Sequence, residues 1–368
     1  MTARRRVGPA RIAALVLVLL AAFVAMAPRP AGLVERVYAA RLYPAVQAAV
    51  TGASNAVPFA IFDVVLVVAI VGAVWLWGGG ARHAWRARGL APLAGVAWVT
   101  AVAVSMGYLW FVMMWGLNYA RPPLDERLGL PTAPSTTEEV AALLTESVER
   151  VNALYAAAKV ERFVPYNAER DIERVLHAVE TRVLGRPRAT VPGSPKPTVL
   201  ATYFRVAGVD GLTAPAALET LLNPDLTPAE RPFVLAHEWA HLSGYAPEAD
   251  ANFVGWLVAT DASADVVSRY SGWLFAVMET AAQVPRDTRR DMLARLGTGP
   301  RADLDAIAAR ARMRVDLVQR VGWRVYDSYL RSQGVREGIV SYSRVVDLIA
   351  RASRPQPWRR ATPAPVPQ

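Results

Sequence analysis

Residues 237–241 read His-Glu-Trp-Ala-His and hold two of the four histidines in the chain. Side chains four apart on a helix share a face, so both imidazoles can reach one ion. Glu238 lies beside them, where a carboxylate can take a proton from a metal-bound water. The sequence has no cysteine, which excludes disulfides and thiolate ligands and leaves His, Asp and Glu to hold a metal. His237 and His241 in this setting point to a single Zn2+ ion and to hydrolysis, with Glu238 as the catalytic base.

A catalytic zinc takes three protein ligands and a water. The chain continues as HEWAHLSGYAP. Gly244 stands where three-histidine peptidases have a glycine, but Pro247 occupies the place of their third histidine. His83 and His177 are remote in sequence. A carboxylate is therefore the expected third ligand. Pro247 suits the start of a new helix, and a helix–turn–helix would fold Glu248 back toward His241. Asp250 and then Glu219 are the alternatives. A developing oxyanion needs a donor beside the metal, and Tyr245, Tyr270 and Tyr342 are candidates among which the sequence does not choose. Gly211 to Asn223, just ahead of the motif, is a candidate edge for aligning an extended peptide. The same word also arises on ordinary helices, and zinc can be purely structural. A non-catalytic zinc-binding membrane sensor or scaffold is thus the alternative to a metallopeptidase. Four protein ligands would favour the scaffold, and an open position the enzyme.

The elements that must position these groups read as helices. Thr227 caps a motif helix over 228–243, with Pro228 in its first turn, Glu230 completing a Thr-x-x-Glu box and Gly244 ending it. Ser135-Thr136-Thr137-Glu138 reads as a capping box opening a helix to about Ala158. Further helices are expected at 168–184, 248–260, 263–283, 286–296, 302–333 and 339–352. Thr198 to Val206, rich in β-branched and aromatic residues, is the best candidate strand. The tail from Arg354 is Pro-rich and reads as disordered.

Three apolar stretches open the chain, at about 12–28, 57–77 and 93–115, the last two long enough to cross a hydrocarbon core of about 30 Å. Pro28 disfavours cleavage after Ala27, so the first reads as an uncleaved anchor. Residues 1–116 hold ten arginines against Glu35 and Asp63 alone, and so carry most of the net charge of +10. This is a membrane-topology signal and not a nucleic-acid patch. Arg4, Arg5, Arg6 and Arg11, with Arg82, Arg86 and Arg88, belong on the cytoplasmic side. The loop bearing Arg29, Arg36 and Arg41, and everything after about Gly116, then lies outside. Asp63 reads as interfacial, as do Trp75, Trp77 and Trp115. Charges within 253–282 argue against a further span, and Glu230, Arg231, Glu248 and Asp250 argue against an intramembrane protease. The expected class is mainly α: a membrane domain (1–116) with three transmembrane helices, an α-helical zincin-like domain with a small β element (117–353), and a tail (354–368). The expected partners are the lipid bilayer and a peptide or protein substrate, with no nucleic acid.

Several segments carry a resemblance. They are VPFAIFD (57–63), WGLNYARPPL (115–124), GLTAPAALETLLNPDL (211–226), HEWAHLSGYAPEADANF (237–253), YSGWL (270–274) and VYDSYLRSQGVREGIVSYSRVVDLI (325–349). Over about residues 55–350 the chain resembles a family of bacterial membrane proteins known as a domain of unknown function, with N-terminal spans and a zinc-peptidase-like word. The resemblance implies a zinc-binding protein of the inner membrane, and no substrate. Separately, Glu248-x-x-Ala251-Asn252 resembles the Glu-x-x-Ala-Asp of membrane metallopeptidases related to the prenyl-protein and heat-shock peptidases. In those the Glu is a ligand and the Asp orients a histidine. Here Asn252 replaces that Asp and could accept a hydrogen bond without charge.

Overall fold

The computed structural model describes residues 8–161, 168–185, 189–332 and 344–354. Three helices are long and apolar enough to cross a membrane: α1 (Pro9–Met26), α3 (Ile61–Ala87) and α4 (Ala91–Met114). At 1.5 Å per residue they measure roughly 27, 40 and 36 Å, against a hydrocarbon core of about 30 Å. Their apolar side chains point outward, Val68, Val74, Trp75 and Val104 among them. Such a surface is stable only against lipid or another apolar partner. Helix α4 touches both α1 and α3, and Arg29 beyond α1 donates to the Tyr108 hydroxyl near the end of α4 at 3.0 Å.

The connection between the first two apolar helices, read from sequence as a loop, is helical. Val34–Leu42 is π-helical and runs into α2 (Tyr43–Asn55). Hydropathy misses it because its inward stripe is polar. The Gln47 amide donates to the Val191 carbonyl (2.7 Å), the Thr51 hydroxyl to the Leu218 carbonyl (2.9 Å) and the Ser54 hydroxyl to Glu219 (2.8 Å), all from buried side chains. Pairing makes burial of these groups tolerable.

After the third span come α5 (Thr137–Glu161), α6 (Ala168–Arg182), α7 (Ala201–Ala207), β1 (Gly211–Ala214), β2 (Glu219–Leu222), α8 (Arg231–Leu242) and α9 (Glu248–Ala259). The chain ends through α10 (Val266–Gln283), α11 (Arg286–Leu293), α12 (Thr298–Ala311), α13 (Asp316–Ser332) and α14 (Arg344–Ser353). The fold is mainly helical with one two-stranded antiparallel sheet, in which Gly211 faces Leu222 and Ala214 faces Glu219. One core gathers Tyr38, Tyr43 and Trp115 together with Leu144, Leu176, Trp239, Phe253, Leu274 and Leu348, from both sides of residue 117.

Four expectations change. Thr198 to Val206 is not a strand: α7 begins at Ala201, because the Thr198 hydroxyl accepts from the Leu200 N–H (3.1 Å) and Asp63 accepts from the Val199 N–H (2.8 Å), which starts a helix. The strands lie later, at β1 and β2. The helix read over 302–333 breaks between α12 and α13, where the Val315 N–H donates to the Val206 carbonyl at 2.8 Å. The first capping box is one residue later than read. Thr136 and Glu139 exchange bonds at 2.8 and 3.3 Å. The box before α8 is half formed: Glu230 accepts from the Thr227 N–H at 3.0 Å, but the Thr227 hydroxyl is buried without a partner and α8 starts at Arg231. Of residues 354–368, only Arg354 falls among the described residues.

Glu219 ties the sheet to the membrane helices. It accepts from the Ile61 and Phe62 N–H groups (2.9 and 2.8 Å) at the start of α3, and from the Lys196 ammonium (2.7 Å). Burial would push its carboxyl up, but Lys196 and these donors hold it below the usual range. Lys196 and Glu219 are both buried. Lys196→Met strands the carboxylate and is expected to cost about 3–5 kcal/mol. Thermal unfolding of the full-length protein in detergent checks this, and a loss under about 1 kcal/mol would contradict the assignment.

Candidate metal centre

Helix α8 carries His237, Glu238 and His241 within its last two turns, and ends where Gly244 takes φ +82°. That left-handed turn suits glycine, and a Cβ there would also crowd Asn118 and Arg121. The chain reverses through Tyr245, Pro247 caps α9, and Glu248 is the first helical residue. The antiparallel return of α9 on α8 sets Glu248 against both histidines. Its Oε2 stands 3.4 Å from His237 Nε2 and 3.6 Å from His241 Nε2, and the ligand atoms of the three residues lie within 4.8 Å of one another. Two ligands held ~2.1 Å from one ion at the tetrahedral angle stand ~3.4 Å apart. The two separations from Glu248 to the histidines are thus close to those between ligands of one tetrahedral ion. Among the described residues no other group of three His, Asp or Glu side chains is spaced for a metal.

His241 Nδ1 lies 2.8 Å from the Tyr245 carbonyl oxygen. Donation there puts the remaining proton on Nδ1 and frees Nε2 toward Glu248, the arrangement a metal ligand needs. His237 Nδ1 is buried without a hydrogen-bond partner. The walls are aromatic. The Trp115 ring sits 5.6 Å from His241, and Phe233 sits 6.3 Å from His237. Trp115, read from sequence as a membrane-belt residue, is buried at the site. Trp75 and Trp77 are exposed.

Glu238 is buried, with Oε2 accepting from the Thr213 hydroxyl of β1 at 2.8 Å. A Cβ on Gly211 would overlap its carboxylate, so the carboxylate and the strand backbone are in direct contact. Burial pushes the Glu238 carboxyl up, and the two imidazoles and Thr213 offset part of this. A carboxyl raised from its ordinary value is better matched to accepting a proton near neutrality.

The alternative ligands point elsewhere. Asp250 is outside the trio. Burial raises its carboxyl against the pull of Arg127, Arg344 and Arg121, and its Oδ1 has no partner. Glu219 is committed to Lys196 and the start of α3. Asn252 is buried on α9. The Tyr245 ring packs under Arg121 and Arg127, 5.4 and 5.2 Å from their guanidinium carbons. The Tyr270 hydroxyl donates to Asp303 at 2.6 Å. Tyr342 lies outside the described residues. His177 is engaged with the Thr190 carbonyl at 2.8 Å, and His83 lies on α3.

Sequence reasoning missed the groups that hold the trio. Arg121 grips Glu35 through two bonds (2.7 and 2.8 Å) and donates to the Gly244 carbonyl at 2.9 Å. The Tyr43 hydroxyl donates to the Leu242 carbonyl at 3.0 Å. Together they fix the turn whose Tyr245 carbonyl orients His241. Trp115 and Arg121 fall in the WGLNYARPPL segment, and Gly211 and Thr213 in GLTAPAALETLLNPDL. Those segments marked the places without their roles.

Burial lowers the His241 pKa, but the adjacent Glu248 carboxylate outweighs it and raises the pKa to about 9. The Glu248 carboxyl is held well below its ordinary value, the imidazoles outweighing its burial. Without metal, His241 is therefore protonated at neutral pH. Its pairing stabilises the fold fully below about 6.5 and loses that contribution as pH rises through about 9. An entering ion must expel this proton. Zinc affinity is expected to climb about tenfold per pH unit and to flatten above the His241 pKa. Titration calorimetry in buffers of differing ionisation enthalpy reads the released proton, and an affinity flat from pH 7 to 9 would sink this assignment.

The chain is thus a mainly helical protein with three bilayer-length apolar helices and a partly buried His-His-Glu cluster beside Trp115, just past the end of α4. Residues 38–350 match the family described as Protein of unknown function (DUF3810), and the chain belongs to that family. Among curated proteins and solved structures, none matches it.

Proposed function

We propose that this protein is a membrane-anchored zinc metallopeptidase with a zincin-like site of His237, His241 and Glu248, and with Glu238 as general base. The observation that carries the reading is the convergence of the three ligand atoms within 4.8 Å of one another, with Glu248 3.4 and 3.6 Å from the histidines, beside a buried carboxylate that is not among them. Bound zinc supplies a water acidified to near neutrality. Glu238, fixed by Thr213, accepts its proton and passes it to the leaving amine. The β1–β2 hairpin, whose Thr213 holds Glu238, is the element that aligns an extended peptide. Among the described residues the group numbers three, which would leave a fourth coordination position for water, the arrangement of an enzyme and not of a structural zinc site. The protein belongs to the bacterial inner membrane as a multi-pass chain, with the site on the extracytoplasmic side that arginine counting indicates.

Metal analysis of the purified full-length protein is expected to find one zinc per chain, and His237→Ala to lose it. Zinc-dependent cleavage of a peptide library should accompany the metal. A metal-free wild-type protein grown with ample zinc would overturn the reading. Stoichiometric zinc without cleavage would leave the sensor or scaffold.

A further inference from the structure

A cavity of about 710 Å3 lies apart from the metal centre, within the roughly 300–1,000 Å3 usual for small-molecule sites. Its walls come from α5, α6, α9 and α10 and from the end of α14. Helix α9, which begins at Glu248, brings Trp256 to it two turns on, roughly 12 Å along the axis. Four arginines line it, Arg150, Arg182, Arg269 and Arg354, against two carboxylates, Glu146 and Asp261. Their commitments differ. Arg354 is fully engaged, donating to Glu139 (2.6 and 2.7 Å) and to the Ala133 and Pro134 carbonyls (both 2.8 Å). Arg150 makes only long bonds to Glu146 (3.2 and 3.3 Å) and lies over the Trp273 ring, 5.7 Å from its centre. Arg182 pairs with Asp261 through one nitrogen. Arg269 is half-buried and has no ion pair among the described residues. The Trp256 indole N–H is buried without an acceptor.

One unpaired guanidinium, two partly committed ones and a spare indole N–H are donors that the described chain does not use. We infer that this cavity binds a phosphate group, carried by a small soluble ester or by a lipid headgroup, with Arg269 as its main partner. The guanidinium fork matches phosphate oxygens two at a time. A carboxylate would offer these donors two oxygens and one charge, whereas a phosphate monoester offers three oxygens and nearly two charges. The volume exceeds that of a bare phosphate, and Trp273 and Trp256 wall the space left for the group that carries it. The inference is independent of the peptidase reading, since it uses none of His237, Glu238, His241 and Glu248.

The test titrates the full-length protein, in a neutral detergent, with inorganic phosphate, glycerol 3-phosphate and micellar short-chain phosphatidic acid, read by calorimetry. Binding with Kd below about 1 mM is expected for at least one probe. Binding of the soluble probes supports a soluble ligand, and binding of the lipid alone supports a headgroup. Arg269→Gln and, separately, Arg182→Gln are expected to weaken binding about tenfold or more, as loss of a charged hydrogen bond does. Arg290→Gln, on an exposed arginine of α11 outside the cavity, is expected to leave it unchanged, as is stripping of metal with a chelator. Affinity indifferent to both cavity variants would make these arginines ties between helices and overturn the inference. Loss of binding on chelation would move the phosphate to the metal centre and overturn it equally. So would the absence of binding below about 1 mM for all three probes.

Discussion

Glu238→Gln is expected to lower peptide hydrolysis by about 10²- to 10⁴-fold while leaving zinc bound. The substitution keeps the size of the side chain, which is buried between Thr213 and the β1 backbone at Gly211. The Thr213 hydroxyl also lies 2.9 Å from the Glu238 carbonyl, an alternative acceptor the variant retains. What is lost is the ability to take a proton. Initial rates on a cleaved peptide, together with metal content, separate the two effects. A variant holding zinc and working at wild-type rate would remove Glu238 from its role.

Glu248→Ala is expected to weaken zinc binding by more than about 100-fold, beyond what loss of an outer-shell partner usually costs. Glu248 is the only carboxylate within reach of both Nε2 atoms among the described residues. Asp250→Asn should leave the metal in place, because Asp250 faces Arg127, Arg344 and Arg121 instead. Competition with a chromophoric chelator gives both affinities. Loss of zinc in Asp250→Asn with retention in Glu248→Ala would reverse the assignment.

The two histidines and the base were legible because one helical period places them together, and Glu248 because Pro247 restarts the chain next to a turn. The three long helices announce themselves by composition. What was not legible lies in groups without a side-chain signature or far apart along the chain. The carbonyl of Tyr245 orients His241, and any residue offers a carbonyl. Glu35 and Arg121 form their clamp across 86 residues, and neither looks unusual in its own segment. The polar stripe of α2 hides a packed helix from hydropathy, and Thr198 initiates a helix where its neighbours' β-propensity argued for a strand. The double role of Trp115 followed the same pattern. Aromatic residues at span ends normally face lipid headgroups, and only the return of α8 beneath it shows otherwise.

The Glu35–Arg121–Gly244 clamp ties the shape of the His-His-Glu cluster to residues that precede the third apolar helix. A protease that released the chain just after α4 would carry off His237, His241 and Glu248 intact in sequence. It would leave behind Glu35, Tyr43 and Ser54, and with them the grip on the turn that aims His241. The His-His-Glu cluster keeps its shape only with the segment between the first two apolar helices attached, so the cluster and the apolar helices must travel together.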